Sequence, residues 1–171
     1  LILVSAGAGG HGGTINPMSL VAEIKKFFKK TIILSGCIST GQDIASAIQM
    51  GADFAYMGTR FINTVESQAD DGYKEMIINS DANDIVYTAA VSGVNANFLK
   101  PSLEAMGITE DMWKNTKKID FGKELSAAEA EAKAWKTIWS AGHGVTSIAD
   151  CPSVEDLVKN LKSQFIDSVK K

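Results

Sequence analysis

The chain has 171 residues, 45% of them hydrophobic and 22% charged, with a formal net charge of −3. That composition supports one buried core with room for a small appendage, and it excludes a disordered chain. The mildly acidic balance argues against a nucleic-acid partner bound through its phosphates, and no apolar run approaches the roughly 20 residues of a membrane helix. The two cysteines, Cys37 and Cys151, are far apart and outside any C-x-x-C pair. Neither a disulfide framework nor a zinc site is expected, and a cytoplasmic setting fits.

Leu1 to Val4 reads as a strand already under way, without an initiator Met, a basic n-region or a cleavage site. The expectation is a chain that opens mid-domain and carries no signal peptide. A glycine-dense loop, Gly7 to Gly13, follows. Asn16-Pro17 then opens a helix, with Asn as cap and Pro at the first helical position. Leu20, Val21, Ile24, Phe27 and Phe28 fall on one face at helical spacing, and Lys25, Lys26, Lys29 and Lys30 lie elsewhere as a solvated, dipole-complementing set. Thr31–Ser35 is expected as a buried strand and Gly36–Ser39 as a turn. Thr40 with Asp43 marks the start of the next helix, and Gly51 its C-terminal cap. Phe54–Met57 is a third strand, ended by Gly58-Thr59. Strands alternating with helices long enough for crossovers define an α/β fold, and both a barrel and an open doubly wound sheet satisfy the pattern.

Past Glu66 the rhythm changes. A helix is expected over 66–79, a strand over 85–91 and a short helix from Pro101 to Met106, followed by a polar, irregular stretch over 108–124. Ser126 with Glu129 forms a capping box before a helix carrying Ala130, Ala134, Trp135, Ile138 and Trp139. The last helix starts at Ser153, with Val154, Leu157, Val158, Leu161, Phe165 and Val169 on one stripe.

The chemistry-bearing features sit in the loops. The turns Ser35-Gly36 and Met57-Gly58-Thr59 follow consecutive strands. Each either offers backbone N–H groups to an anion, with the Thr59 hydroxyl in addition, or is only a tight strand-to-helix turn. His11, flanked by glycines at a strand's carboxyl end, is either a proton-transfer group or a loop histidine satisfied by backbone and water. His143 reads as the blander of the two histidines. Glu66, Asp70, Asp71 and Glu75 read as a helix N-terminal cluster and solvated face rather than a catalytic pair. Cys37 reads as a small residue packed in its turn. Arg60, the only arginine, meets either an anion or an acid.

At these residues the sequence resembles the nitronate monooxygenase family, the 2-nitropropane dioxygenase-like flavoproteins. The matching stretches are Ala8-Gly9-Gly10-His11-Gly12-Gly13, Ser35-Gly36-Cys37-Ile38-Ser39-Thr40-Gly41, and Gly51-Ala52-Asp53 through Tyr56-Met57-Gly58-Thr59-Arg60-Phe61 to Glu66-Ser67. Ser92 to Leu99 and Ser140 to Val145 continue them in collinear order. The resemblance implies the C-terminal portion of a (β/α)8 TIM barrel binding FMN, with a small additional helical domain. The implied organisation is barrel strands over 1–66, a mostly helical addition over 67–140, and a loop and helix over 141–171 returning to the barrel. It further implies oxidation of a small-molecule nitronate by O2 to a carbonyl compound and nitrite.

Carried over residue by residue, His11 matches the family's active-site histidine, and Gly9 and Gly10 match backbone contacts to the flavin. Gly36 with Cys37 matches one phosphate turn, and Tyr56, Met57, Gly58 and Thr59 match the other. The family commonly has a second glycine where Cys37 stands, whose N–H can still donate unless the backbone there requires a positive φ. It often has glutamine where His143 stands. The family's N-terminal strands are not in these residues, so the segment alone is expected to be an incomplete enzyme whose open edges pair with the missing half or with a second copy. A flavin-dependent enoyl-acyl carrier protein reductase shares the same motifs. An inactive half-barrel that only binds phosphate compounds or a partner is the reading from outside enzymology.

Overall fold

The computed structural model describes residues 1–114 and 138–170. Its first part is built from three strands and the helices between them: β1 (Ile2–Val4), α1 (Pro17–Lys25), β2 (Ile33–Ser35), α2 (Gly41–Met50), β3 (Phe54–Tyr56) and the short α3 (Thr59–Ile62). Local chemistry sets the helix ends. The Asn16 side chain accepts from the Met18 N–H, with Pro17 in the first turn. Thr40 and Asp43 form a reciprocal capping box, and Gly51 ends α2 in the left-handed conformation, as the sequence pattern predicts.

The strands form one parallel sheet in the order β1-β2-β3, in register Ile2–Ile33–Phe54, Leu3–Leu34–Ala55 and Val4–Ser35–Tyr56. Alternation along each strand divides the residues between two faces. Leu3, Leu34 and Ala55 join Val21, Ile32, Ile38, Ala47 and Ala52 in a core beneath α1 and α2. On the opposite face Ile2, Val4, Phe54 and Tyr56 are exposed. One expectation fails in this layer. Phe27 does not face the core but is 72% exposed. The Phe27 N–H bonds back only to Ile24 O, so the helix tightens in its last turn and rotates Phe27 off the stripe. Phe28 still packs against the core.

The second part carries α4 (Asp71–Ile78), the antiparallel pair β4 (Ile85–Thr88) and β5 (Ala96–Leu99), α5 (Lys100–Ala105) and α6 (Glu110–Lys114). The helix expected over 66–79 begins only at Asp71, behind an Asp70 cap, and the strand expected over 85–91 ends at Thr88. The stretch expected to be irregular from 108 contains α6. Phe98, Leu103, Ile108, Trp113 and Ile138 form this part's own core. The helix expected behind Ser126 lies outside the described residues except for Ile138 and Trp139, which are not helical.

The chain then returns through a 3-10 turn, His143–Ser147, to α7 (Val154–Val169), whose N-cap Ser153 accepts from Asp156 N. α7 packs on α2, and Gln164 Oε1 accepts the Gly41 N–H at 2.8 Å. Its buried stripe is narrower than the sequence suggests. Leu157 and Leu161 are buried, while Val158 and Val169 stay about half exposed because α2 covers only one ridge. Among the described residues no helix is long and apolar enough to cross a membrane.

Leu34, 1% exposed at the centre of the sheet, and Phe27 provide opposite tests of this packing. Leu34→Ala should lower unfolding free energy by about 2–5 kcal/mol. Phe27→Ala should change it by no more than about 0.5 kcal/mol. Urea denaturation of the two variants measures both, and equal losses would contradict the arrangement.

Candidate active site

The parallel register brings Val4, Ser35 and Tyr56 to the same level, so the loops after all three strands leave the sheet on one edge. There they enclose a cavity of about 380 Å³. The first loop contributes Gly9, Gly10 and His11, the second Gly36 and Cys37, and the third Gly58 and Thr59 together with Tyr56 from the strand end. Of the residues matched to the family's active-site and flavin-binding positions, only Met57 is not in the lining. Its side chain packs against the core beneath the sheet, because alternation turns it away from Tyr56.

Loops this rich in glycine have few side chains with which to fix themselves, and their order comes from elsewhere in the chain. The buried Asn97 on β5 donates from Nδ2 to Ala8 O at 2.7 Å, and its backbone N–H donates to Gly10 O at 2.8 Å. The Tyr87 hydroxyl on β4 donates to Gly12 O at 3.2 Å. Three alternate carbonyls of the His11 loop are thus held by one hairpin. From the other side, His143 N donates to Gly7 O at 2.9 Å and Gly142 N to Thr59 Oγ1 at 3.0 Å. A Cβ at Gly142 would lie 2.4 Å from Gly7 O, so only glycine allows the two segments this close. The Tyr73 hydroxyl donates to Ser140 O, and its ring stacks on Trp139 with centroids 5.0 Å apart.

The turn after β2 is strained. Gly36 has φ 125°, and a Cβ there would sit 2.3 Å from Ser5 Oγ. Cys37 follows with φ 56°, the left-handed region that a glycine enters freely and other residues seldom do. The positive φ that would put its N–H donation in question is therefore present. Nor is it packed away: Cys37 is exposed, with its thiol donating to Ala6 O at 3.7 Å. The residue is exposed as a whole, but its sulfur lies close against Gly7 and Ala6, and this local desolvation, with the carboxylate of Asp43 after it, pushes the thiol pKa up, which disfavours the thiolate.

Other ambiguous groups resolve into structural roles. Arg60 is buried and meets an acid, with Nη2 2.6 Å from Asp150 Oδ1 and Nη1 3.2 Å from Asp150 O. Glu66 is not part of the helical cluster. Both of its carboxylate oxygens accept the Val154 N–H that opens α7. Ser5 Oγ donates to Ser35 O at 2.8 Å.

Two features stand out around the cavity. A Cβ at Gly58 would meet nothing within 4 Å, so the backbone there is open to close approach. Ser39 Oγ is buried without a hydrogen-bond partner. Sequence reasoning missed Ser39, Ser140, Gly142 and Gly144 in the lining, and Asn97 and Tyr87 behind it. The matching stretches Ser35–Gly41, Ser92–Leu99 and Ser140–Val145 contain all of them but Tyr87 and were the signal that could have found them. Among the described residues, no group of three or more His, Cys, Asp and Glu could hold a metal ion.

The model of the family described as nitronate monooxygenase matches residues 1–164. The chain is 30% identical over 177 residues to a nitronate monooxygenase from Paraburkholderia phytofirmans, covering 95% of this chain and 48% of that protein. It is also 30% identical, over 61% of its length and 34% of the relative's, to a probable nitronate monooxygenase from Staphylococcus aureus. Among solved structures, FabK from Thermotoga maritima superposes on 99% of this chain and 55% of its own, with TM-score 0.78 and 25% identity. A nitroalkane oxidase from Streptomyces ansochromogenes does so with TM-score 0.73 and 24% identity, covering 99% of this chain and 52% of its own, a likeness of fold. The chain belongs to the nitronate monooxygenase family, and it spans about half the length of the P. phytofirmans relative. Its α/β architecture is consistent with part of a barrel.

Asn97→Ala removes the clamp on Ala8 O and leaves that carbonyl without its partner. It should cost about 1–3 kcal/mol. The amides of Gly9 to Gly13 should exchange hydrogen faster than the sheet amides do, because the opening is local. Hydrogen-exchange mass spectrometry checks this, and unchanged protection of the loop would refute the clamp.

Proposed function

We propose that this chain carries the phosphate-binding turns and the substrate-side histidine of an enzyme that oxidises alkyl nitronates with O2 to a carbonyl compound and nitrite, using FMN. The observation that carries this reading is the meeting of the Gly36 and Gly58 turns and His11 in one cavity at the carboxyl edge of a parallel sheet, the edge where barrel enzymes place phosphate sites and catalytic groups. The open approach at Gly58 suits a dianionic phosphate.

In this reading the N–H groups of the turns at Gly36 and Gly58 hold the phosphate. Thr59 Oγ1, which accepts from Gly142 N, keeps its own proton to donate. Gly9 and Gly10 let the backbone lie against the flavin. A bound flavin supplies the electron transfer between substrate and O2. His11 stands on the exposed rim, where its imidazole takes a proton from a nitroalkane carbon or holds a nitronate oxygen. The family membership and the likeness to a nitroalkane oxidase support this assignment.

The likeness to FabK and, in fold, to the enoyl reductase domain of MlnA favours a second reading, a flavin-dependent enoyl reductase. Stopped-flow reduction separates the two, since the reductase draws its electrons from NADH and the nitronate enzyme from its substrate.

Gly58→Val should leave the unliganded fold intact, because its Cβ meets nothing, and should weaken FMN binding strongly by filling the approach. Flavin fluorescence quenching measures it, and unchanged affinity would place the phosphate elsewhere. His11→Asn should lower nitroalkane turnover by about 10²–10⁴-fold while flavin stays bound. Full activity in that variant would remove His11 from the mechanism.

The exposed row of Ile2, Val4, Phe54 and Tyr56, with outer edges of β1 and β3 that no strand among the described residues pairs, fits a barrel interior awaiting further strands. The 171 residues alone should therefore run as a dimer or larger species in sizing chromatography and lack turnover. An active, monodisperse monomer would overturn that expectation.

A further inference from the structure

We propose that the Cys37 thiolate and the His143 imidazole form a two-coordinate site for a soft monovalent cation, copper(I), at the edge of the cavity. The proposal stands apart from the nitronate reading. The two residues come from different loops, and Gly7, at φ 84°, brings them together. A Cβ on Gly7 would lie 2.3 Å from Cys37 Sγ and 2.7 Å from His143 Nδ1, so both heteroatoms stand beside a single point, close enough for one ion to bridge. Bonds of about 2.3 Å to sulfur and about 2.0 Å to imidazole nitrogen, the lengths found for zinc, span such a separation when the two ligands stand opposite each other. Any side chain on residue 7 would fill the approach.

Both groups are available. The hydrogen bonds of His143 run through its backbone, from its N–H to Gly7 O at 2.9 Å and from Thr146 Oγ1 to its carbonyl at 3.1 Å. Among the described residues its imidazole has no hydrogen-bond partner. The Cys37 thiol makes one long bond, 3.7 Å to Ala6 O, and the residue is exposed and lines the cavity, so an ion has a path to the sulfur. Among the described residues no three His, Cys, Asp or Glu could hold an ion together, which sets aside metals that want three or four protein ligands. Thiolate and imidazole both suit copper, and copper(I) is content with two donors. On binding, the S–H bond breaks, the S–Cu bond forms and the proton passes to solvent. The imidazole binds through the Nδ1 lone pair, in the tautomer that carries its proton on Nε2. Nothing is oxidised or reduced.

The test is an anaerobic titration of the purified protein with copper(I) against a chromogenic copper(I) chelator. A Cys151→Ser background leaves Cys37 as the one thiol of this chain. Cys37→Gly and His143→Gln are compared in that background, with thermal unfolding as the control on folding. Glycine enters φ 56° freely, so Cys37→Gly keeps the turn. The expected result is one copper(I) per chain, with affinity lowered at least about tenfold by either substitution, since even the loss of a supporting group costs a metal site that much. Loss in Cys37→Gly with affinity unchanged in His143→Gln would reduce the site to a single thiol and overturn the proposal. Absence of stoichiometric binding, or equal affinity in all three proteins, would overturn it as well. X-ray absorption at the copper edge of the Cys151→Ser protein decides the matter if a variant fails to fold. One sulfur and one imidazole nitrogen around the metal is the expected result, and any other donor set contradicts it.

Discussion

Every feature of the site depends on the register of three short parallel strands. Because Val4, Ser35 and Tyr56 are paired neighbours, the three loops that follow begin at one height and meet over one cavity. A slip of one residue would carry Leu3, Leu34 and Ala55 out of the core and turn the loops' first residues to the opposite face. The register is held by burial of that central row under α1 and α2. The strands are only three residues long and bring few ladder hydrogen bonds of their own. Side chains beneath the sheet, away from the cavity, therefore govern whether the site exists.

The loops themselves present a second problem. Glycine gives close approach to a ligand, but it loses the most conformational freedom on ordering. The protein meets that cost with long-range polar contacts from the hairpin β4–β5 on one side and the 140–144 segment on the other. Asn97 is the centre of this arrangement, since its side chain and its backbone hold carbonyls two residues apart. The residues between the barrel-like part and α7 thus bear directly on the geometry at His11.

Much of this was legible in the sequence where the determinant is local. The Asn16-Pro17 start, the Thr40–Asp43 capping box, the Gly51 stop and the Ser153 cap all depend on contacts within a few residues, and pattern reading finds such contacts. The glycine turns could be located, and their convergence follows from parallel pairing. Phe27 was misassigned because helical spacing was extended past the tightened last turn. Arg60 could not be decided because its partner, Asp150, is 90 residues away. The roles of Asn97 and Ser39 were invisible for two different reasons. One contributes through a bond spanning 89 residues. The other stands out only through the lack of a partner, which no spacing pattern records.

The measurement that tests the proposed site most directly is a crystal structure of the protein in complex with FMN. The expected result is a phosphate against the backbone of the Gly36 and Gly58 turns, within hydrogen-bond distance of N–H groups from both, and a flavin ring along Gly9 and Gly10 on the side of His11. A phosphate bound away from either turn, or a flavin seated outside this cavity, would contradict it.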